Sequence, residues 1–164
     1  ISPKKRFKTL LIYTIAGLLI ELLLIFILLF YLIVILNIEF TNLLYLAIVC
    51  ILGSIVGISF GSFITIALKN KSEGFKILIT TLVGLIGSFL SGMMVSDMKF
   101  FIQTNFPILR YINPVGVISD ALYSLNYFGV TKRFYLNITL LVIMAITFIV
   151  GTFFFYRRNR YESI

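Results

Sequence analysis

Few side chains in this sequence could perform chemistry, and none stands at a spacing typical of catalysis. The chain has no histidine, which is the commonest general base and a frequent metal ligand. Its single cysteine, Cys50, lies inside an apolar run, and there is no pair of carboxylates and no HExxH or GxxxxGK(S/T) motif. The sequence therefore predicts a protein that is not an enzyme and that holds no metal or cofactor of its own.

One ionisable residue, Glu21, interrupts an apolar segment that extends from Thr9 to Asn37. As a helix this segment is long enough to cross a bilayer, and Glu21 lies 12 residues, or roughly 18 Å, from its beginning. A carboxylate near the middle of a membrane costs about 2.5–3.5 kcal/mol on insertion scales, so it is a candidate functional group. Two interpretations are open: a protonated Glu21 that hydrogen-bonds to a neighbouring helix, or a group on a substrate or ion path.

A second candidate is the pair Asn113 and Pro114, which has the residue types that begin a helix. The asparagine side chain can cap the first turn, and proline at the first helical position loses no hydrogen bond. We expect this helix to end near Asn126 or Gly129. At roughly 20 Å it is too short to cross a membrane. We therefore expect Asn113 and Pro114 to begin a short helix within a re-entrant or interfacial segment on the outer side.

The composition indicates that most of the chain lies in lipid. Hydrophobic residues make up 60% and charged residues 12% of the 164 residues, and the mean hydropathy is +1.10. The net charge of +8 is confined to short clusters between apolar runs, which is typical of charges that orient membrane helices and argues against nucleic-acid binding. The predicted fold is an all-α polytopic transmembrane helical bundle with four spans and an extracytoplasmic re-entrant helical segment. The spans are 9–37, 43–68, 75–95 and 134–156, and the re-entrant segment is 98–133.

The distribution of basic residues predicts the orientation of the bundle. With four spans, ten of the 14 lysines and arginines lie on the side of both termini, and four lie on the opposite side. Those four are Lys99, Arg110, Lys132 and Arg133. Because basic residues accumulate in cytoplasmic loops, both termini of this segment are expected to be cytoplasmic. A fifth span at 114–128 would place nine basic residues on the inner side and five on the outer side, so the charge count does not separate four spans from five. The short length of that segment favours four spans.

Small residues recur every four positions on the second and third spans. These positions are Gly53, Gly57 and Gly61 on the second span and Gly84, Ser88 and Gly92 on the third. Such stripes allow helix backbones to approach closely, which is a main route to helix association in lipid. We therefore expect the second and third spans to form the interior of the bundle, whereas the first should face lipid over most of its circumference.

The order of these features resembles the permease subunits of ABC-type exporters of the type-2 class. The residues that carry the resemblance are Leu90-Ser91-Gly92, Pro107, Tyr111-Ile112-Asn113-Pro114 with the short helix after it, Arg157-Arg158-Asn159-Arg160, Ile1-Ser2-Pro3-Lys4 and Gly61 to Asn70. The resemblance covers essentially the whole chain. It implies that residues 1–164 are a single transmembrane domain, the C-terminal four spans of a six-span permease in the cell (plasma) membrane.

The resemblance also implies partners. Such permeases form homo- or heterodimers with two ATP-binding cassette subunits, which bind ATP and magnesium. The segment expected to face the ATPase consists of Lys69, Asn70, Lys71, Ser72, Glu73 and Gly74, together with residues 1–6. Asn113 and Pro114 would help to close the path on the outer side, and Glu21 departs from the family pattern. The apolar spans are consistent with a hydrophobic or amphipathic cargo.

Three alternatives to an ATP-driven exporter remain open at this point. A secondary transporter could use Glu21 for proton coupling, and a membrane scaffold would need no transport path. An enzyme acting on lipids is least compatible with the sequence, because histidine and clustered carboxylates are missing.

Overall fold

The computed structural model describes the backbone of residues 3–161 and the side chains of residues 8, 9 and 11–157. Its helices are α1 (Pro3–Phe30), which continues into a π-helical turn (Tyr31–Ile35), α2 (Leu43–Ala67), α3 (Glu73–Leu90), α4 (Ser96–Asn105), α5 (Pro107–Ile112), α6 (Pro114–Phe128) and α7 (Lys132–Tyr161). The predicted all-α bundle is confirmed. Ile1, Ser2 and the side chains of residues 3–6, predicted to face an ATPase, lie outside the described residues, as do the side chains of Arg158 and Arg160.

Among the residues that the structure describes, four segments are long and apolar enough to cross a membrane. They are Leu11–Ile35, Leu43–Ala67, Glu73–Leu90 and Lys132–Arg157. The third span was expected to reach residue 95 but ends at Leu90. Gly92 follows with φ +81°, a left-handed conformation that glycine adopts without steric cost, and a Cβ there would lie 2.6 Å from Lys99 Cβ. Gly92 therefore belongs to the turn between α3 and α4, not to the α3 stripe.

Two of the spans begin with a polar side chain that caps the first helical turn. Asn42 Oδ1 accepts a hydrogen bond from the Tyr45 backbone N–H at 3.3 Å at the start of α2, and Ser72 Oγ accepts one from the Phe75 N–H at 3.3 Å at the start of α3. These caps satisfy N–H groups that have no partner in the first helical turn. The chain therefore turns sharply before both spans, and α2 and α3 are joined by a short exposed loop at one end of the bundle, which we call the loop end.

Helix α2 is the centre of the bundle, with α7 packed along it and α6 between the two. One buried cluster contains Leu46 and Val49 of α2, Ala121 and Leu125 of α6, and Phe134 of α7. A second cluster contains Val56, Val117, Leu141 and Ala145 from the same three helices. The short helix α6 thus supplies buried residues at two depths of the bundle, which makes it part of the core.

Helix α6, in the segment 98–133 that was predicted to be re-entrant, runs from the depth of the bundle to one of its ends. Near its beginning, α6 contacts the middle of α2, because Ile118 Cδ1 would lie 3.3 Å from a Cβ on Gly53. Near its end, the Asn126 carbonyl accepts a hydrogen bond at 3.1 Å from Thr41, which precedes α2. Helix α6 therefore begins deep in the bundle and returns to the end opposite the loop end, which we call the re-entrant end. With 15 residues, or roughly 22 Å, it does not cross.

The outer helices follow the predictions only in part. No described residue of span Leu11–Ile35 is fully buried, as expected for a helix that faces lipid. Helix α3 was expected in the interior but is peripheral, and it buries only Lys76 and Gly87. A methyl group on Gly84 would meet no atom within 4 Å. Helix α3 contacts α2, α4 and α6, and Asn113 Nδ2 of the α6 cap donates a hydrogen bond to the Gly87 carbonyl of α3 at 2.7 Å.

We predict that Gly87→Ala destabilises the fold whereas Gly84→Ala does not. A Cβ on Gly87 would lie 2.8 Å from Asn113 Oδ1, and that amide is held from both sides by hydrogen bonds. The expected loss is about 1–3 kcal/mol of unfolding free energy, typical of overpacking. Thermal unfolding of the purified variants in one detergent measures it, and equal midpoints for both variants would contradict the described α3–α6 contact.

Candidate functional site

A buried carboxylate, Asp120, lies at the centre of the re-entrant end. Its Oδ2 accepts hydrogen bonds from Arg133 Nε at 2.8 Å, Arg110 Nη2 at 2.9 Å and Asn137 Nδ2 at 2.9 Å. Its Oδ1 accepts one from Arg133 Nη2 and lies 3.3 Å from Lys99 Nζ. We call these five side chains the Asp120 cluster. It joins α4, α5, α6 and α7, so one carboxylate connects every helix of the re-entrant segment to the last span.

The electrostatics of the Asp120 cluster favour an ionised carboxylate. The Asp120 side chain is 2% exposed, and burial alone opposes ionisation. Hydrogen bonds from Arg133 and Asn137 and the positive charges of Arg110 and Arg133 outweigh this effect and hold the pKa of Asp120 well below its usual range. Three cations face one anion here, so the cluster retains an excess of positive charge.

From the sequence alone, Lys99, Arg110 and Arg133 are recognisable only as charges on one membrane side, and Asp120 is not identified as their partner. The available signal was that Asp120 is the only charged residue between Arg110 and Lys132. Its four partners come from three other helices at separations of 10 to 21 residues, as the printed sequence shows. Sequence spacing could not reveal that these side chains converge.

Asn113 anchors the beginning of α6 in two directions. Its Oδ1 accepts a hydrogen bond from the Val115 N–H at 3.2 Å, which is the predicted helix cap, and its Nδ2 bonds to Gly87 of α3. Pro114 occupies the first position of α6. These residues lie at the deep end of α6, so they fix the position of the re-entrant helix against the third span.

Glu21 lies on a different face of the bundle, beside a cavity between α1, α2 and α6. The cavity has a volume of about 550 Å³ and extends from Glu21 to Asn126 and Tyr127 at the re-entrant end. Gly57 lies opposite Glu21, because a Cβ there would be 3.8 Å from Glu21 Oε1. Gly53 also lines the cavity. The structure therefore brings Glu21 together with two of the predicted small residues.

The remaining predicted site residues lie elsewhere. A Cβ on Gly61 would meet nothing within 4 Å, and Ser88 Oγ donates to the Gly84 carbonyl of its own helix at 2.9 Å. The predicted ATPase-facing residues Lys69, Asn70, Lys71, Ser72, Glu73 and Gly74 are exposed at the loop end. There Glu73 pairs with Lys76 at 2.6 Å. In the part of the chain that the structure describes, no three His, Cys, Asp or Glu side chains come together as a metal site.

Comparison with known proteins places the chain in a transport family. A model of the family described as ABC-2 family transporter protein matches residues 1–154. No curated protein and no solved structure shows significant similarity. The family match covers the first three spans, the segment 98–133 and the fourth span as far as residue 154.

We predict that Asp120→Asn releases the re-entrant segment from α7. The substitution leaves three cations without a balancing carboxylate, and breaking a buried ion pair on one side costs about 3–5 kcal/mol. Hydrogen exchange of residues 96–128 in lipid nanodiscs should increase strongly. Asp97→Asn is the matched control, because Asp97 is exposed at the start of α4, and equal exchange in both variants would contradict the assigned role of Asp120.

We also predict how the difference in thermal stability between wild type and Asp120→Asn depends on pH. Because the pKa of Asp120 is lower in the folded protein than in the unfolded chain, its stabilising contribution is complete above the ordinary aspartate pKa of about 3.9. The difference in melting temperature between wild type and Asp120→Asn should be constant from about pH 7 to pH 5 and should shrink as the pH falls below about 4. A difference that disappears between pH 7 and pH 5 would indicate a raised pKa and refute the assignment.

Proposed function

Because this chain belongs to the ABC-2 family of transporter proteins, we propose that it forms part of the translocation path of an ATP-driven exporter and couples that path to a separate ATP-binding cassette subunit. The family match over residues 1–154 carries this proposal. The chain is a multi-pass membrane protein and the permease component of an ABC transporter. In the proposed complex, ATP and magnesium bind to the partner subunit, and a second permease subunit, identical or related, completes the path.

The loop end is the proposed contact with the ATPase. The loop between α2 and α3 is exposed and basic at Lys69 and Lys71, and both adjoining helices are well formed. We infer that this end faces the cytoplasm, because ten of the 14 basic residues belong to that side. A force applied to the loop would then act on α2 and α3 together.

The contacts of α2 and α3 with α6 supply a route from the loop end to the re-entrant end. Helix α3 holds the deep end of α6 through Gly87 and Asn113, and α2 packs along α6 at Leu46 and Val49. The Asp120 cluster fixes the same segment to α7. Movement of the α2–α3 hairpin relative to α7 would therefore shift α6 and its neighbours, which is the rigid-body type of gating found in many transporters.

We predict that an ATP-binding protein co-purifies with the full-length protein in mild detergent.

We also predict that ATP with magnesium changes the rate at which an impermeant maleimide labels a Tyr127→Cys variant in a Cys50→Ala background. Tyr127 is 69% exposed at the re-entrant end, so its labelling reports movement there without knowledge of the substrate. The double variant Lys69→Glu and Lys71→Glu should weaken the ATPase contact roughly tenfold or more and abolish the ATP effect.

Lys132→Glu is the matched control, because Lys132 is exposed at the re-entrant end. It should leave both co-purification and the ATP effect unchanged. If no ATP-binding protein co-purifies and nucleotide does not alter the labelling of Tyr127→Cys, the proposed function is wrong. Labelling that instead follows a proton gradient would identify a secondary transporter.

A further inference from the structure

The cavity beside Glu21 has the size and the position of a binding site within the membrane. Its volume of about 550 Å³ lies within the range of pockets that hold drug-sized molecules. Glu21 is ten residues, or roughly 15 Å, into the first span, and Ser54 and Gly57 lie near the middle of the second. The cavity therefore extends from the centre of the bilayer to the re-entrant end.

The wall of this cavity is almost entirely apolar, with polar groups only at its two ends. Leucine, isoleucine and valine side chains from α1, α2 and α6 form most of the surface, including Ile25, Leu29, Val49 and Leu122. The deep end presents Glu21 and Ser54, and the other end presents Asn126 and Tyr127 with other polar side chains. Such a wall suits a long apolar group whose polar head lies at Glu21.

At the deep end of the cavity, the Glu21 carboxylate faces the Ser54 hydroxyl but no positive charge of the described residues. Among the residues that the structure describes, none forms an ion pair with Glu21. Ser54 is 1% exposed and its hydroxyl lies against Glu21, but a neutral hydroxyl does not balance the charge of an ionised carboxylate. Ionisable groups within membranes are normally paired with an opposite charge. A bound cation would supply that charge.

The charges at the two ends define how such a ligand would lie. Tyr123 lines the cavity, and Lys99 Nζ lies 4.3 Å from the centroid of its ring. The Asp120 cluster, to which Lys99 belongs, gives the re-entrant end an excess of positive charge. A cationic head is disfavoured near these groups and favoured near Glu21. The space next to Glu21 Oε1 is open because residue 57 is a glycine, and a side chain at this position would occupy that space.

We propose that this cavity binds an amphipathic organic cation, with its ammonium group against Glu21 and its apolar part along α1, α2 and α6. The proposal rests on the proposed function, because it names the class of molecule that the exporter carries. A lipid acyl chain, a helix of a second copy or a preceding helix of a longer chain would fill the apolar wall but would not require the carboxylate. Selectivity for positive charge therefore distinguishes the cation from these occupants.

The test is direct binding of tritiated octyltrimethylammonium to the full-length protein in lipid nanodiscs without nucleotide, with empty nanodiscs to subtract partition into lipid. We expect saturable binding that weakens at least about tenfold in Glu21→Gln, because the charge pair in a low-dielectric site is lost. Glu39→Gln should bind like wild type, since Glu39 is exposed outside the spans. Binding of tritiated octanol should be the same in wild type and Glu21→Gln.

A second pair of variants tests the space beside Glu21 without changing its charge. Gly57→Leu should also weaken binding about tenfold or more, because its side chain would extend into the cavity. Gly61→Leu, one turn further along α2, should bind like wild type, because no atom lies within 4 Å of a Cβ there. Thermal unfolding of each variant shows whether it is folded.

Saturable binding that is equal in wild type and Glu21→Gln would overturn the proposal, as would absence of saturable binding in wild type. Replacement of the probe by a phospholipid in native mass spectrometry, or crosslinking of Gly57→Cys to a second copy, would also overturn it. Because binding is measured without ATP, it is independent of coupling. Charge-selective binding without any ATP-dependent labelling of Tyr127→Cys would retain the site and reject the ATP-driven exporter.

Discussion

The structure depends on one buried carboxylate. Asp120 receives donors from α4, α5 and α7, and without it α4 and α5 would lose their ion pairs to the rest of the bundle. Lipid provides no hydrophobic driving force between helices, so directional contacts and close packing must hold such a segment in place. An ionised group surrounded by cations supplies that attachment, and the same contacts keep Asp120 charged in spite of its burial.

Close packing accounts for the rest of the attachment. Helix α6 fits between α2 and α7 because Gly53 leaves room for Ile118, and it meets α3 because Gly87 lets Asn113 approach its carbonyl. Each contact uses a small residue where a larger one would separate two backbones. The re-entrant helix is thus held at both ends, by Asn113 at the deep end and by Thr41 near the surface.

The two polar regions of the bundle have opposite characters. In the Asp120 cluster both carboxylate oxygens have partners, and the cluster attaches four helices to one another. The cavity at Glu21 lies on the other side of α6 and combines open space with a carboxylate that forms no ion pair with any described residue. Helix α6 contacts both regions, so in the proposed exporter it would connect the ligand cavity with the Asp120 cluster.

The sequence alone determined the membrane class, the four spans and the short helix that begins at Asn113, because apolar length and helix capping are local properties of the chain. It also located Glu21 near the centre of the first span. Only the tertiary structure decided that α3 is peripheral, that Gly92 forms a turn and that Asp120 organises the re-entrant end. The physical reason is that side chains 10 to 21 residues apart converge on Asp120 through the packing of four helices, which no periodicity within one helix encodes.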